Sequence, residues 1–515
     1  MKKLLYTLIL SVTILSCSDS LDVTPIGKLM GGNFPVTDED AIALTNGIYT
    51  PNVGISTSLA YMIDLTTETT VSGENPNSGG GLLGLIQWEP TNSYVTSVWT
   101  AFYVGITSAN DAIDKLSESK TVSESIKKRS IGEARFLRAY YYYYAVQFWG
   151  EVPLVLHNVD GKNTTRASID EVYAQIEDDL KSAADNLPDV SSYADSDKGR
   201  ASKGAAYALL SKVYLVWAQT SESGGDTARK DRFRKSVDAA NSVTGYKLEE
   251  DFLDNWNVNN KNGKESIFST QHASGTATDG SGGNHLAHCA FSSGFSNSTP
   301  HVLISDNKYY DAFDDRDQRK SGTYAKELYN PATNSVFTFT RPRYRKYIDA
   351  SDPLGSASNR NINRSIIRYA DILLVKAEAI NELNNGPTTD AYDAINQVRR
   401  RAFEHFPLNQ TSPDDLPAGL DYNGFRKAVQ QERMFELTYE QSHWLDLVRW
   451  RIYVRTLKES GLDESYKKSS VSLKNYRFPI PQSQRNINPE GLWQNWGYDG
   501  YNESKTGANP YAGFE

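Results

Sequence analysis

The sequence predicts a mostly helical protein whose helices come in pairs. Three observations carry this. Apolar residues recur at steps of three and four along most of the chain, the period of one helix face. Small residues form seams on those faces (Ala205 and Ala208, Ala239 and Ala240, Ala377, Ala391 and Ala394), which allow helical hairpins to pack closely. Breakers such as Gly150, Pro153 and Pro188 separate the periodic stretches.

In order along the chain, residues 1–16 read as a signal peptide. Lys2 and Lys3 precede a twelve-residue, mostly apolar run from Leu4 to Leu15, too short to span a bilayer. Ser16-Cys17 then looks like a bacterial lipobox, with Ile14 where that pattern prefers leucine. Cleavage there would leave Cys17 as an acylated N-terminus, a stable anchor if two or three chains are added. Residues 17–33 read as a lipidated tether broken by Pro25, Gly27, Gly31 and Gly32.

Residues 34–515 form one domain. Thr37-Asp38-Glu39-Asp40 caps a helix through Tyr49. Thr50 to Tyr94 is rich in Thr, Ser, Asn and Gly and reads as a long functional loop. Trp99, Tyr103, Ile106 and Ile113 restore helical spacing. Next comes Gly132 to Leu156, GEARFLRAYYYYYAVQFWGEVPLVL, with five tyrosines on several faces of one helix. Helical pairs follow: this helix with Ile169–Leu187, Ala201–Trp217 with Phe233–Val243, and Ile366–Leu383 with Ala391–Ala402. The scaffold thus covers residues 34–245 and 366–460. Residues 246–365 break the pattern and read as a loop-rich insertion with short strands, KESIFST being one. Gln431 to Trp450, QERMFELTYEQSHWLDLVRW, reads as one long helix. On it Arg433 reaches Glu436, and both are predicted to join a partly buried polar network. Residues 470–515 read as a wrapping coil.

Composition narrows the function. Loss of Lys2 and Lys3 with the leader takes the net charge from −9 to −11, which argues against nucleic acid and against electrostatic adhesion to anionic lipid. With Cys17 acylated, Cys289 has no disulfide partner, so the fold is not disulfide-built. No G-x-S-x-G, P-loop or H-E-x-x-H motif is present, so no enzyme is predicted. His285, His288 and Cys289 are the best metal candidates, but a second ligand pair is missing; no metal or cofactor is expected. Asp311, Asp314, Asp315 and Asp317 are expected to be satisfied by Arg316 and Arg319.

The tyrosine-rich and Gln431–Trp450 stretches resemble the E-A-R-F-L-R-A-Y helix and the C-terminal signature of the SusD/RagB family, surface glycan-binding lipoproteins of the outer membrane. Three further segments agree in order: ASKGAAYALLSKVYL, RYADILLVKAEAINE and FPIPQSQRNINPEGLWQNWGY. The resemblance implies tetratricopeptide-like helical hairpins, a cell-surface location on the outer membrane, and capture of a nutrient oligosaccharide for a SusC-like TonB-dependent transporter. Relatives that serve peptide uptake make that the alternative cargo; a non-transport protein-binding scaffold is the alternative role.

The chain has 31 tyrosines and 9 tryptophans, more than its helical stripes use. Sugar rings present C–H faces that stack on aromatic rings, while acids, amides and arginines bond the hydroxyls. Loop residues that fit are Trp88 with Asn92, Tyr61 with Asp64, Trp256, and Arg343 with Tyr344. The family places its site on loops near the N-terminal helices and on the insertion, which puts Trp88 first. The competing fate of each is packing beneath its loop.

Overall fold

The computed structural model describes residues 34–158, 163–272, 286, 303–330, 334–348, 361–460 and 465–515. Cys17, the leader, the tether and the His285–Cys289 cluster's ligands lie outside the described residues.

Helices dominate. α1 (Asp38–Val53) opens on the expected capping box, Thr37 and Asp40 each accepting from the other's backbone N–H. It is followed by α2 (Ser56–Ile63), α3 (Gly79–Gly84), α4 (Ser93–Glu118) and α5 (Glu124–Trp149). Then come α6 (Ile169–Asn186), α7 (Lys203–Thr220) and α8 (Gly225–Asn241). The insertion contributes two short helices, α9 (Asn307–Asp311) and α10 (Gln318–Thr323). The scaffold resumes with α11 (Tyr369–Asn384), α12 (Thr389–Ala402), α13 (Tyr422–Leu437), α14 (His443–Arg449) and α15 (Tyr453–Glu459).

Each long helix from α4 to α8 packs on the next, and α8 then packs on α11, which carries α12 and α13. These are tetratricopeptide-like hairpins, and the insertion is spliced between two neighbours of the array. α5 is central: all five tyrosines, Tyr140 to Tyr144, are buried. Gly105 of α4 permits this, because a Cβ there would lie 2.2 Å from the Tyr141 ring. Gly150 ends α5 at φ 74°, a left-handed backbone that glycine adopts without strain.

Among the described residues, eight strands make three antiparallel sheets. β1 (Thr70–Ser72), β5 (Leu303–Ser305), β7 (Ser335–Tyr344) and β6 (Tyr324–Asn330) form the largest, in that order. β2 (Val152–Pro153) pairs with β3 (Arg166–Ala167), and β4 (Ser266–Thr270) with β8 (Arg364–Arg368).

Three sequence expectations are corrected. Thr50 to Tyr94 is no open loop: it holds α2, β1 and α3, and Leu59, Met62, Ile63 and Leu83 are core residues. Gln431 to Trp450 is two helices, since Tyr439 and Gln441 take left-handed φ of 65° and 52° between α13 and α14. Arg433 pairs with Asp446 and Asp371 rather than with Glu436. The arginines of the Asp311–Arg319 segment bind two of its acids, Arg316 to Asp314 and Arg319 to Asp317, whereas Asp315 pairs with Lys320 and Asp311 with Lys326.

The C-terminal segment runs across the body. Phe478 N–H donates to the Phe148 carbonyl and Gln482 N–H to the Pro90 carbonyl, so the coil bridges α5 and the turn before α4.

Candidate functional site

The aromatic residues singled out from the sequence are buried. Trp88 is 0 % exposed; its indole N–H donates to the Tyr498 hydroxyl at 2.7 Å and its ring lies 5.0 Å from Phe478. An indole so enclosed has no face for a sugar, which corrects the first-choice assignment: Trp88 clamps the C-terminal coil. Trp256 is buried beside the Arg368 guanidinium and the Lys346 ammonium, at 5.3 and 4.9 Å. Tyr344 is buried and stacks on Tyr439 at 4.3 Å, its hydroxyl donating to the Thr69 carbonyl. Arg343 is buried next to it; burial and the neighbouring Arg341 push its pKa down to about 10. Asp64 is buried, with Gln441 donating to it at 3.3 Å, and burial pushes its carboxyl up to about 7. Polar loop composition hid these fates, because the loops fold inward between the helices and the insertion.

Tyr61 and Asn92 do meet, around a residue the sequence left unassigned. Asn92 caps α4 through the Tyr94 and Val95 N–H groups and donates to the Gly79 carbonyl at 2.9 Å. That pins α3 against the first turn of α4. Tyr94, half-buried in this turn, stacks on Tyr61 at 4.5 Å with the rings 21° apart. The Tyr61 hydroxyl donates to Glu74 Oε1 at 2.7 Å, and the Ser78 hydroxyl to Glu74 Oε2 at 3.1 Å. A Cβ on Gly80 would stand 2.2 Å from the Tyr61 ring, so only glycine lets the ring lie flat on α3. Asn75 and Asn77 are exposed at the rim. The result is a supported aromatic ring beside a carboxylate, a hydroxyl and two amides, at the end of β1, where the N-terminal segment joins the insertion's sheet. Such a set can stack on an apolar ring face and hydrogen-bond the hydroxyls around it. Tyr94 was legible only as one more loop aromatic; the Asn92 cap was the signal that it begins a helix.

Comparison with known proteins identifies the family. A family model described as "Starch-binding associating with outer membrane" matches residues 58–215, and one described as "SusD family" matches residues 214–498, more than half the chain. The chain belongs to the SusD family. It is 26 % identical to SusD-like protein P2 of Formosa agariphila over 97 % of this chain and all of that one. It is 25 % identical to the starch-binding protein SusD of Bacteroides thetaiotaomicron over 55 % of this chain and 52 % of that one. The crystal structure of a SusD homolog from the same organism superposes with a TM-score of 0.75 at 26 % identity, covering 90 % of this chain and 97 % of that one.

In this SusD-family fold a buried ionic network fixes the insertion to the scaffold. Glu436 of α13, fully buried, accepts from Arg319 at 3.2 Å, from Arg368 at 2.9 Å and from Arg401. Arg319 also pairs with Glu432 and Asp317, and Lys346 donates to Glu440 and to the Glu436 carbonyl. Burial raises the cost of the Glu436 charge, but Arg401, Arg368 and Arg319 outweigh it and hold the carboxyl far below its usual range. Among the described residues, no group of three or more His, Cys, Asp or Glu is placed to hold a metal ion. Nor is any described helix long and apolar enough to cross a membrane.

Proposed function

We propose that this SusD-family protein is a cell-surface binding lipoprotein, anchored through Cys17, that captures an oligosaccharide without chemically changing it. It then passes the sugar to a SusC-like TonB-dependent transporter. The observation that carries the sugar reading is the Tyr61–Tyr94 stack with Glu74 and Ser78 at its edge. A ring held on a second ring is pre-ordered, so little side-chain freedom is lost on binding. The starch-binding descriptions of the matching family model and of the relative from Bacteroides thetaiotaomicron support the ligand class. Peptide would call for an apolar or strongly charged groove, whereas this patch offers one ring face among neutral amides and a single carboxylate. Affinity gel electrophoresis against a panel of neutral polysaccharides tests the reading: retardation by at least one, lost in Tyr94→Ala, is expected. Equal migration of Tyr94→Ala and the parent on every retarding gel would contradict it.

A further inference from the structure

A second cleft lies at the far end of α5, between the start of β2, the end of α7, the turn after α14 and the last residues of the C-terminal coil. Its volume is about 390 Å³, within the range of small-molecule sites. Tyr476, Trp496, Tyr511 and Phe514 form its aromatic wall. Tyr476 and Tyr511 stack at 5.5 Å with rings 18° apart, and Trp496 meets Tyr511 edge-on at 6.2 Å. Trp149, a fully buried lining residue, keeps an indole N–H with no acceptor among the described residues.

The charges on the floor do not balance. Arg166 is buried, yet its N–H groups go only to neutral acceptors: the carbonyls of Glu151, Trp493 and Trp149, and Asn495 Oδ1. Arg477 donates to the carbonyls of Gln147 and Tyr476. Neither forms an ion pair with a carboxylate among the described residues. Burial foremost, with Arg477 adding to it, pushes Arg166 down to about 10 despite the nearby Glu151. Of the other acids at this end, Glu222 is taken by Arg451 and Glu515 is exposed, where water screens it. Glu151, half-buried, is the carboxylate that remains beside Arg166 in this cleft, and it forms no ion pair with either guanidinium among the described residues. A planar carboxylate accepts two parallel N–H bonds from a guanidinium, which suits an anionic ligand better than a neutral one.

We propose that this cleft is a second saccharide site, selective for a sugar bearing a carboxylate: the ring lies against Trp496 and Tyr511 and the carboxylate meets Arg477 and Arg166. This extends the proposed function to acidic sugars but uses none of the residues of the Tyr61–Tyr94 patch.

Isothermal titration of the full-length protein in detergent tests it, with trigalacturonate and its methyl ester as probes. The acid is expected to bind at least about tenfold more tightly than the ester, a difference of about 1.4 kcal/mol. Trp496→Ala should weaken acid binding by about tenfold, and Arg477→Gln should abolish the preference for acid over ester, while Tyr94→Ala leaves acid binding unchanged. Thermal unfolding of each variant identifies any that fails to fold; Lys458→Ala, at an exposed residue outside both sites, should bind as the parent does and is the control. Absence of acid binding, equal binding of acid and ester, or acid binding lost in Tyr94→Ala but kept in Trp496→Ala would each overturn the cleft. The last would leave the patch as the sugar site.

Discussion

Trp88 and Tyr94 lie in one polar segment and have opposite surroundings. Trp88 fills a closed pocket under the C-terminal coil, whereas Tyr94 is propped at half-burial by Tyr61. Trp88→Ala removes a large core side chain and leaves the buried Tyr498 hydroxyl without its donor, so a loss of about 3–5 kcal/mol is expected. Chemical denaturation measures it; an unchanged midpoint would mean that Trp88 is not the clamp described. Asp64 gives a second test at this scale. Its folded carboxyl titrates at about 7 because of burial, against about 3.9 in an unfolded chain. The folded state therefore holds the proton more tightly, and this group's contribution to stability falls as pH rises from about 4 to 7. Asp64→Asn keeps an acceptor for Gln441 and cannot ionise. Its stability relative to the parent should thus increase over that window and level off above it; a constant difference between pH 4 and 8 would contradict the assignment.

Among the elements, α13 and α14 show how the scaffold tolerates charge. Arg433 is 3 % exposed and bonds Asp446 at 2.9 Å and Asp371 at 2.8 Å. Its removal leaves two buried carboxylates short of a counter-charge, and Lys212 and Arg449 compensate only in part. Arg433→Ala should cost about 3–5 kcal/mol, seen as a lower Tm than the exposed control Lys458→Ala. Equal Tm values would show the network to be dispensable. The helices were legible because their apolar faces and caps are local signals: Thr37 and Gly150 both act as their positions predict. The break at Tyr439 was not, since a left-handed non-glycine residue leaves no mark in an apolar pattern. The site was less legible still. Of the proposed patch, Tyr61 and Asn92 were named from the sequence, but Glu74, Ser78 and Tyr94 gain meaning only when α3 folds onto α4. That contact depends on Gly79 having no side chain, since a Cβ there would stand 2.9 Å from the Ser93 hydroxyl of α4.

Across the whole molecule, one array of hairpins carries an insertion, a buried ionic network holds the two together, and the N-terminal segment completes the insertion's sheet through β1. A patch at that junction stays rigid because both its supports are packed. The proposed covalent anchor at Cys17 has its own test. Cys17→Ala should shift the protein from the membrane to the soluble fraction in a strain lacking the transporter, and unchanged partitioning there would contradict acylation.

Binding of an oligosaccharide at the Tyr61–Tyr94 patch is tested by calorimetric titration of a retarding glycan into the parent and Tyr94→Ala. A loss of about 1–3 kcal/mol of binding is predicted, the scale of a central aromatic anchor, with Tm nearly unchanged because Tyr94 is only half-buried. Undiminished affinity in a folded Tyr94→Ala would contradict the account.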